Sequence, residues 1–154
     1  MSKFVFKFDG VLRQREHVET QRQRELAVVQ QEMTGLQVEL RALTDAVHAS
    51  TADLRDNHLT GRLDLNFLAA HRRFTLAMAR KGAALVQQIA GVQKRLDVAQ
   101  AALAEAAKQR KIIEKLRERQ LERWRSEDAR RVGAELDEVN MQLALEPYFG
   151  DVEG

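Results

Sequence analysis

Two long runs of apolar residues, each stepping by threes and fours, constrain this chain more than any other feature. The first passes through Leu26, Val29, Met33, Leu36, Leu40, Leu43, Val47 and Leu54, with Ser50 in its one polar place. The second passes through Met78, Leu85, Ile89, Val92, Leu96, Ala99, Leu103, Ala106 and Ile113, with Gly82 as its weak point. Such steps line residues up along one stripe of an α-helix. A stripe one or two residues wide is narrower than the face a helix turns to a globular core. Each run therefore predicts a helix whose partner is a single helix, the pair supercoiling left-handedly. Between the runs, Arg55 to Phe67 gathers Asn57, Thr60, Gly61, Asp64 and Asn66, the one cluster of turn formers. The reading is all-α, a long antiparallel two-helix coiled-coil hairpin with an extended second helix. Helix 1 is expected over about 9–56, the turn over about 57–67 and helix 2 over about 68–145, in a single coiled-coil domain across 1–154.

The ends of the hairpin follow from the same phase. Asp9 is a plausible N-cap before Val11 and Leu12, and only Gly35 interrupts helix formers afterwards. Traced backward, the first stripe meets Arg22, Glu19 and Arg15 before Leu12 and Phe8, so its N-terminal third is polar. A reversal near residue 60 sets Phe8 opposite Ile112 and leaves helix 2 beyond about Arg117 without a partner. Further on, Val132, Leu136, Val139 and Leu143 restore the spacing until Glu146 and Pro147 are expected to stop the helix, with Tyr148 to Gly154 a loose tail. Phe4, Phe6 and Phe8 alternate with Val5 and Lys7, but no second strand-like run exists to pair with them. They read as an aromatic lead-in to helix 1, either stapling the open end of the hairpin or inserting into a partner.

Composition narrows the chemistry. The chain has no cysteine and one proline in 154 residues, which removes disulfides and thiolate metal sites and fits a reducing compartment. No run approaches the roughly 20 apolar residues that cross a bilayer, and the opening MSKFVFKFDG lacks an apolar stretch of signal-peptide length. The expectation is a cytoplasmic protein, neither secreted by a cleaved signal nor membrane-spanning. No glycine-rich phosphate loop, GxSxG elbow or HExxH pair occurs, so catalysis has no foothold and no cofactor is expected. His17 with Glu19, or His71 with Asp64, could touch a metal ion, but two scattered ligands do not make a site, and the histidines read as solvated.

The stretch that looks like a contact surface is Lys108 to Arg131. Lys111, Lys115, Arg119 and Arg123 recur every fourth residue and form a basic ridge, with Glu114, Glu118 and Glu122 as an acidic ridge beside it. Ile113, Leu116 and Trp124 lie between the ridges. Glutamates three positions on offset part of the like-charge repulsion, and a salt-bridged outer face would look the same. Trp124 is either a filler of the helix seam or an exposed anchor for a partner. Nucleic-acid binding would need local clustering, since formal net charge is only +2. The interleaved acids and the lack of an aromatic platform beyond Trp124 speak against it.

Both ends of the chain resemble the FliJ family of bacterial flagellar export proteins, related to the YscO-type proteins of injectisomes. The opening FVFKFDGVLRQRE, with Phe6 and Phe8 followed by Val11, Leu12, Arg13, Arg15 and Glu16, is similar to the family's paired aromatics leading into an arginine-rich helix. In helix 2, EKLRERQ supplies Glu114, Lys115, Leu116 and Arg119, and Leu136, Asp137 and Glu138 follow at about the family's spacing. The middle departs from the pattern: where many members carry tyrosines or tryptophan after the turn, only Phe67 and Phe74 occur here.

The resemblance implies a non-enzymatic coiled coil like the central stalk of rotary ATPases. Its open end would enter the pore of the hexameric export ATPase and promote its assembly and activity, and the chain would bridge the ATPase to the membrane-embedded export gate. Membership further implies a position at the inner face of the cell membrane through the export apparatus, and an escort role for export chaperones. On this reading Phe6, Arg13, Arg15, Lys111, Lys115, Leu116, Arg119 and Trp124 would meet the ATPase, and Leu43, Phe67 and Phe74 the gate. The alternative is a scaffolding coiled coil with no ATPase partner, which would carry the same seams and ridges.

Overall fold

A chain this poor in helix breakers should form few, long helices, and the computed structural model, which describes residues 3–149 apart from the side chains of Glu146, Tyr148 and Phe149, contains two. Helix α1 spans Asp9–Asp53, a π-helical turn follows over Leu54–His58, and helix α2 spans Leu65–Phe149. Among the described residues there is no strand, and the Phe4–Phe8 lead-in is coil and turn. The fold is the antiparallel two-helix coiled-coil hairpin, with α2 at 85 residues outrunning α1 at 45.

The helix ends differ from expectation in three places. The Leu12 amide donates to the Phe8 carbonyl at 2.9 Å, so Phe8 holds the capping position. Asp9, expected to be the N-cap, lies inside the first turn, with its carboxylate 2.7 Å from the Arg13 guanidinium. A carboxylate there also favours the positive end of the helix dipole. At the start of α2 it is Asp64 that caps: its carboxylate accepts from the amides of Asn66 and Phe67 at 3.0 and 3.2 Å, and its carbonyl from the amide of Leu68 at 3.1 Å. These bonds occupy amides that the first helical turn would otherwise leave unpaired. Gly61, at φ 86°, supplies the left-handed residue of the reversal. The third difference is at the other end, where Pro147 lies inside α2 and does not stop it at residue 146. Proline removes a single amide and crowds the carbonyl four residues back, a smaller loss in the last turn than in a helix interior. The tail expected from Tyr148 lies, from residue 150 onward, outside the described residues.

The residues group into two compact units, Val18–Ala106 and the combination of Met1–His17 with Ala107–Gly154. In the first, every position of the two apolar runs up to Ala106 is buried or half-buried, Ser50 and Gly82 included. Val29, Met33 and Val92 form its buried cluster, with Leu36, Ile89 and Leu96 packed against it. Side-chain partners read off the antiparallel sense directly. Ser50 shares a 2.9 Å hydrogen bond with His71, Glu39 lies 3.6 Å from Lys81, and the Glu32 carboxylate takes both oxygens to Arg95 at 3.0 and 2.9 Å. The weak point at Gly82 is filled from across the seam, since a β-carbon placed there would meet Leu43 Cδ2 at 3.7 Å, ordinary contact distance.

In the second unit Phe6 and Leu12 are buried, and Ile113, Leu116, Leu121 and Trp124 are half-buried. Phe8 and Ile112, expected to face each other, are both exposed. Phe4 instead reaches Trp124, with ring centroids 6.0 Å apart. The cause is the non-helical lead-in, coil up to Phe6 and a turn over Lys7 and Phe8 closed by the Asp9 amide donating to the Phe6 carbonyl: residues outside a helix can advance further than the about 1.5 Å of a helical one, so helical register does not carry back to Phe4. The covered part of α2 therefore runs on to Trp124, past the expected limit near Arg117.

Candidate partner-binding surface

A side chain recurring every fourth residue drifts only slowly around a helix, so α2 presents Lys111, Lys115, Arg119 and Arg123 as one row, and all four are exposed. Glu118 and Glu122 are exposed beside them. Glu114 is half-buried and pairs at 2.6 Å with Arg110, four residues earlier, and not with Lys111 as the three-residue spacing suggested. Leu116 and Trp124 sit half-buried between the rows, which leaves an apolar strip flanked by opposite charge. Ten basic residues against five acidic ones between positions 108 and 131 give the strip a positive field, whereas no lysine or arginine follows Arg131.

The residues of the N-terminal segment assigned to this surface divide into two kinds. Arg13 is exposed and held by its ion pair to Asp9, and Arg15 is half-buried with an enclosed Nε that makes no hydrogen bond. Phe6 is buried, edge-on to Phe8 with centroids 5.9 Å apart, and so belongs to the packing of the unit and not to its surface. The eight residues from Phe6 to Trp124 all fall in the unit formed by the two chain ends. Trp124 has an intramolecular partner in Phe4, which the sequence did not disclose, because heptad reasoning assigns no register to a non-helical segment. The aromatic lead-in is thus a staple on this helix.

Leu43, Phe67 and Phe74 all fall in the unit Val18–Ala106 and are half-buried. Leu43 packs over Gly82 in the seam, and Phe67 stacks on His58 with centroids 3.6 Å apart and planes 14° from parallel. His58 Nε2 also lies 3.4 Å from the Asp53 carboxylate, across the five-residue step that a π-turn brings together. Two of the histidines read as solvated, His58 and His71, are therefore half-buried structural residues, while His17 and His48 are exposed. The polar place at Ser50 was the available signal for His71, since a hydroxyl in an apolar stripe calls for a partner across it. Among the described residues no group of three or more His, Cys, Asp or Glu side chains could hold a metal ion, and no helix is long and apolar enough to cross a membrane.

The arrangement offers charge and a half-buried apolar strip for contact with another protein. A family model described as Flagellar FliJ protein matches residues 4–147. No curated protein matches significantly, and no solved structure does.

Proposed function

The chain belongs to the flagellar FliJ family and is a component of the flagellar export apparatus, and on that premise we propose that its two chain ends form the shaft bound by the hexameric export ATPase. The family is a non-enzymatic export component. The observation that carries the reading is the exposed row Lys111, Lys115, Arg119 and Arg123 beside the half-buried Leu116 and Trp124. A shaft inside a ring must touch several subunits without adhering to one, and exposed charges around a modest apolar strip steer association and register more than they add affinity. Lys115 and Arg119 supply the steering, Arg13 extends it onto α1, and Leu116 with the exposed part of Trp124 supplies the desolvated contact. Phe6 acts indirectly, by fixing the packing beneath.

Leu43, Phe67 and Phe74 are proposed as the contact with the export gate, with the His58 stack presenting Phe67 at one fixed angle. Escort of export chaperones follows from the family relation alone. In the test, the chain is mixed with purified export ATPase at low salt, and co-elution and the hydrolysis rate are followed. The proposal expects a complex and faster hydrolysis. No complex at low salt would leave the scaffolding reading in its place.

A further inference from the structure

In a heptad helix the residues that precede seam positions line one edge of the seam, and those that follow line the other. Glu32 and Glu39 precede Met33 and Leu40, while their partners Arg95 and Lys81 precede Leu96 and Gly82. One edge of the hairpin is thus closed by ion pairs between its helices, and Phe67 and Phe74, which precede the half-buried Leu68 and Thr75 in the same phase, lie along it. The edge of following residues differs. On α2 it is the run Leu76, Ala79, Ala83, Val86 and Ala90, all exposed, Leu76 by 52% and Val86 by 54%. On α1 it is Thr34, Gln37, Arg41 and Thr44. The hydroxyls of Thr34 and Thr44 donate to the Gln30 and Leu40 carbonyls of their own helix at 2.9 and 3.0 Å, so covering them leaves no hydroxyl hydrogen unpaired.

Cations dominate this second edge. Arg72 stands in line with the run, one turn before Leu76, and Arg73, Arg80 and Lys94 lie three or four residues from Leu76 or Ala90, the spacing of neighbours on a helix surface. Among the described residues none of these four has an ion pair, and neither has Arg41. The acids nearby are Asp45, four residues after Arg41, and Asp97 past the end of the run, whose carboxylate accepts from Gln93 at 3.0 Å. A second copy laid along this edge would bring the same surplus of cations. A helix with acidic sides would cover Leu76 and Val86 and neutralise the arginines together.

We infer that the edge formed by residues 34–44 of α1 and 72–94 of α2 docks an acidic amphipathic helix of another protein, with apolar residues at heptad spacing and Glu or Asp along its sides. The alanines between Leu76 and Val86 let the two backbones approach closely, and carboxylates of the incoming helix meet Arg72, Arg73, Arg80 and Lys94. The same cations exclude basic helices. The edge lies wholly within the unit Val18–Ala106 and uses none of the residues assigned to the ATPase or the gate, so it stands or falls independently of both contacts.

The test titrates the full chain with a labelled three-heptad synthetic helix that has leucines at a and d and glutamates at e and g. One control carries lysines at e and g, and another keeps the glutamates but has glutamines in place of the leucines. The glutamate–leucine helix should bind about tenfold or more tightly than either control, and more weakly as salt rises. Ala83→Asp with Val86→Asp should abolish binding while leaving the melting curve in place, because both side chains are exposed. Arg72→Glu with Arg80→Glu, which keeps the apolar run intact, should transfer the preference to the lysine helix, whereas Lys115→Glu with Arg119→Glu should leave it unchanged. Equal binding of the glutamate and lysine helices, or retained binding after both aspartates are introduced, overturns the proposal. So does equal binding of the glutamine control, since the edge would then take any polyanion, and so does loss of binding on reversal of Lys115 and Arg119. Sedimentation showing that the parent is a dimer which the same aspartates dissociate would also overturn it, since the edge would then join copies of this chain.

Discussion

Trp124 shows how much a single side chain can change the meaning of a surface. Its ring lies tilted by 54° against Phe4, an arrangement worth about 0.5–1.5 kcal/mol beyond the area it buries. Trp124→Ala and Phe4→Ala should each lower stability to denaturant by about 1–2 kcal/mol, and the double variant by less than the sum, with the shortfall near the ring-pair value. Strict additivity would show that the rings do not act together. The same residues mark the limit of what the sequence discloses at this scale. Every position of the two heptad runs is buried or half-buried, because a period of three and four is a direct image of helix geometry. The Phe4–Trp124 and Ser50–His71 pairs join residues far apart in sequence and leave no periodic trace. The basic ridge was legible as exposed charge, but Phe6, assigned to the same surface, proved to be interior.

At the scale of the element, α1 and α2 were readable from breakers and phase, and their ends were not. Asp64 was visible only as one of several turn formers, and its capping role depends on which amides lie within reach of its carboxylate. Asp64→Ala should cost about 1 kcal/mol in thermal or chemical unfolding, and no change would mean that Asn66 and Phe67 find other acceptors. The π-turn at Leu54–His58 has no sequence signature, since it is set by how α1 must end to let the chain reverse. The half-buried Leu40 tests the seam itself. Leu40→Asp should cost several kcal/mol by placing a carboxylate on an apolar stripe, a large share of the stability of a chain this size. An unchanged melting curve would contradict the seam.

For the whole chain, the hairpin makes a prediction about distance. Spin labels in place of Glu39 and Lys81, whose side chains lie 3.6 Å apart, should report separations on the order of the roughly 10 Å between packed helices plus the label linkers. Open helices in a parallel dimer would instead set the labels of one chain about 60 Å apart. The functional reading rests on a separation between what folds the chain and what binds its partner: seam residues carry the first and the exposed row of α2 the second. The most direct measurement of that separation is equilibrium titration of the export ATPase with the parent chain and with Lys115→Glu plus Arg119→Glu, at low and at high salt, alongside melting of both proteins. Melting should agree within about 0.5 kcal/mol per substitution. Binding should be weakened by the reversal at low salt, and the difference should shrink as ionic strength rises. A double reversal that binds the ATPase as tightly as the parent at low salt would contradict the account, and would make the basic row a solvated face of the helix.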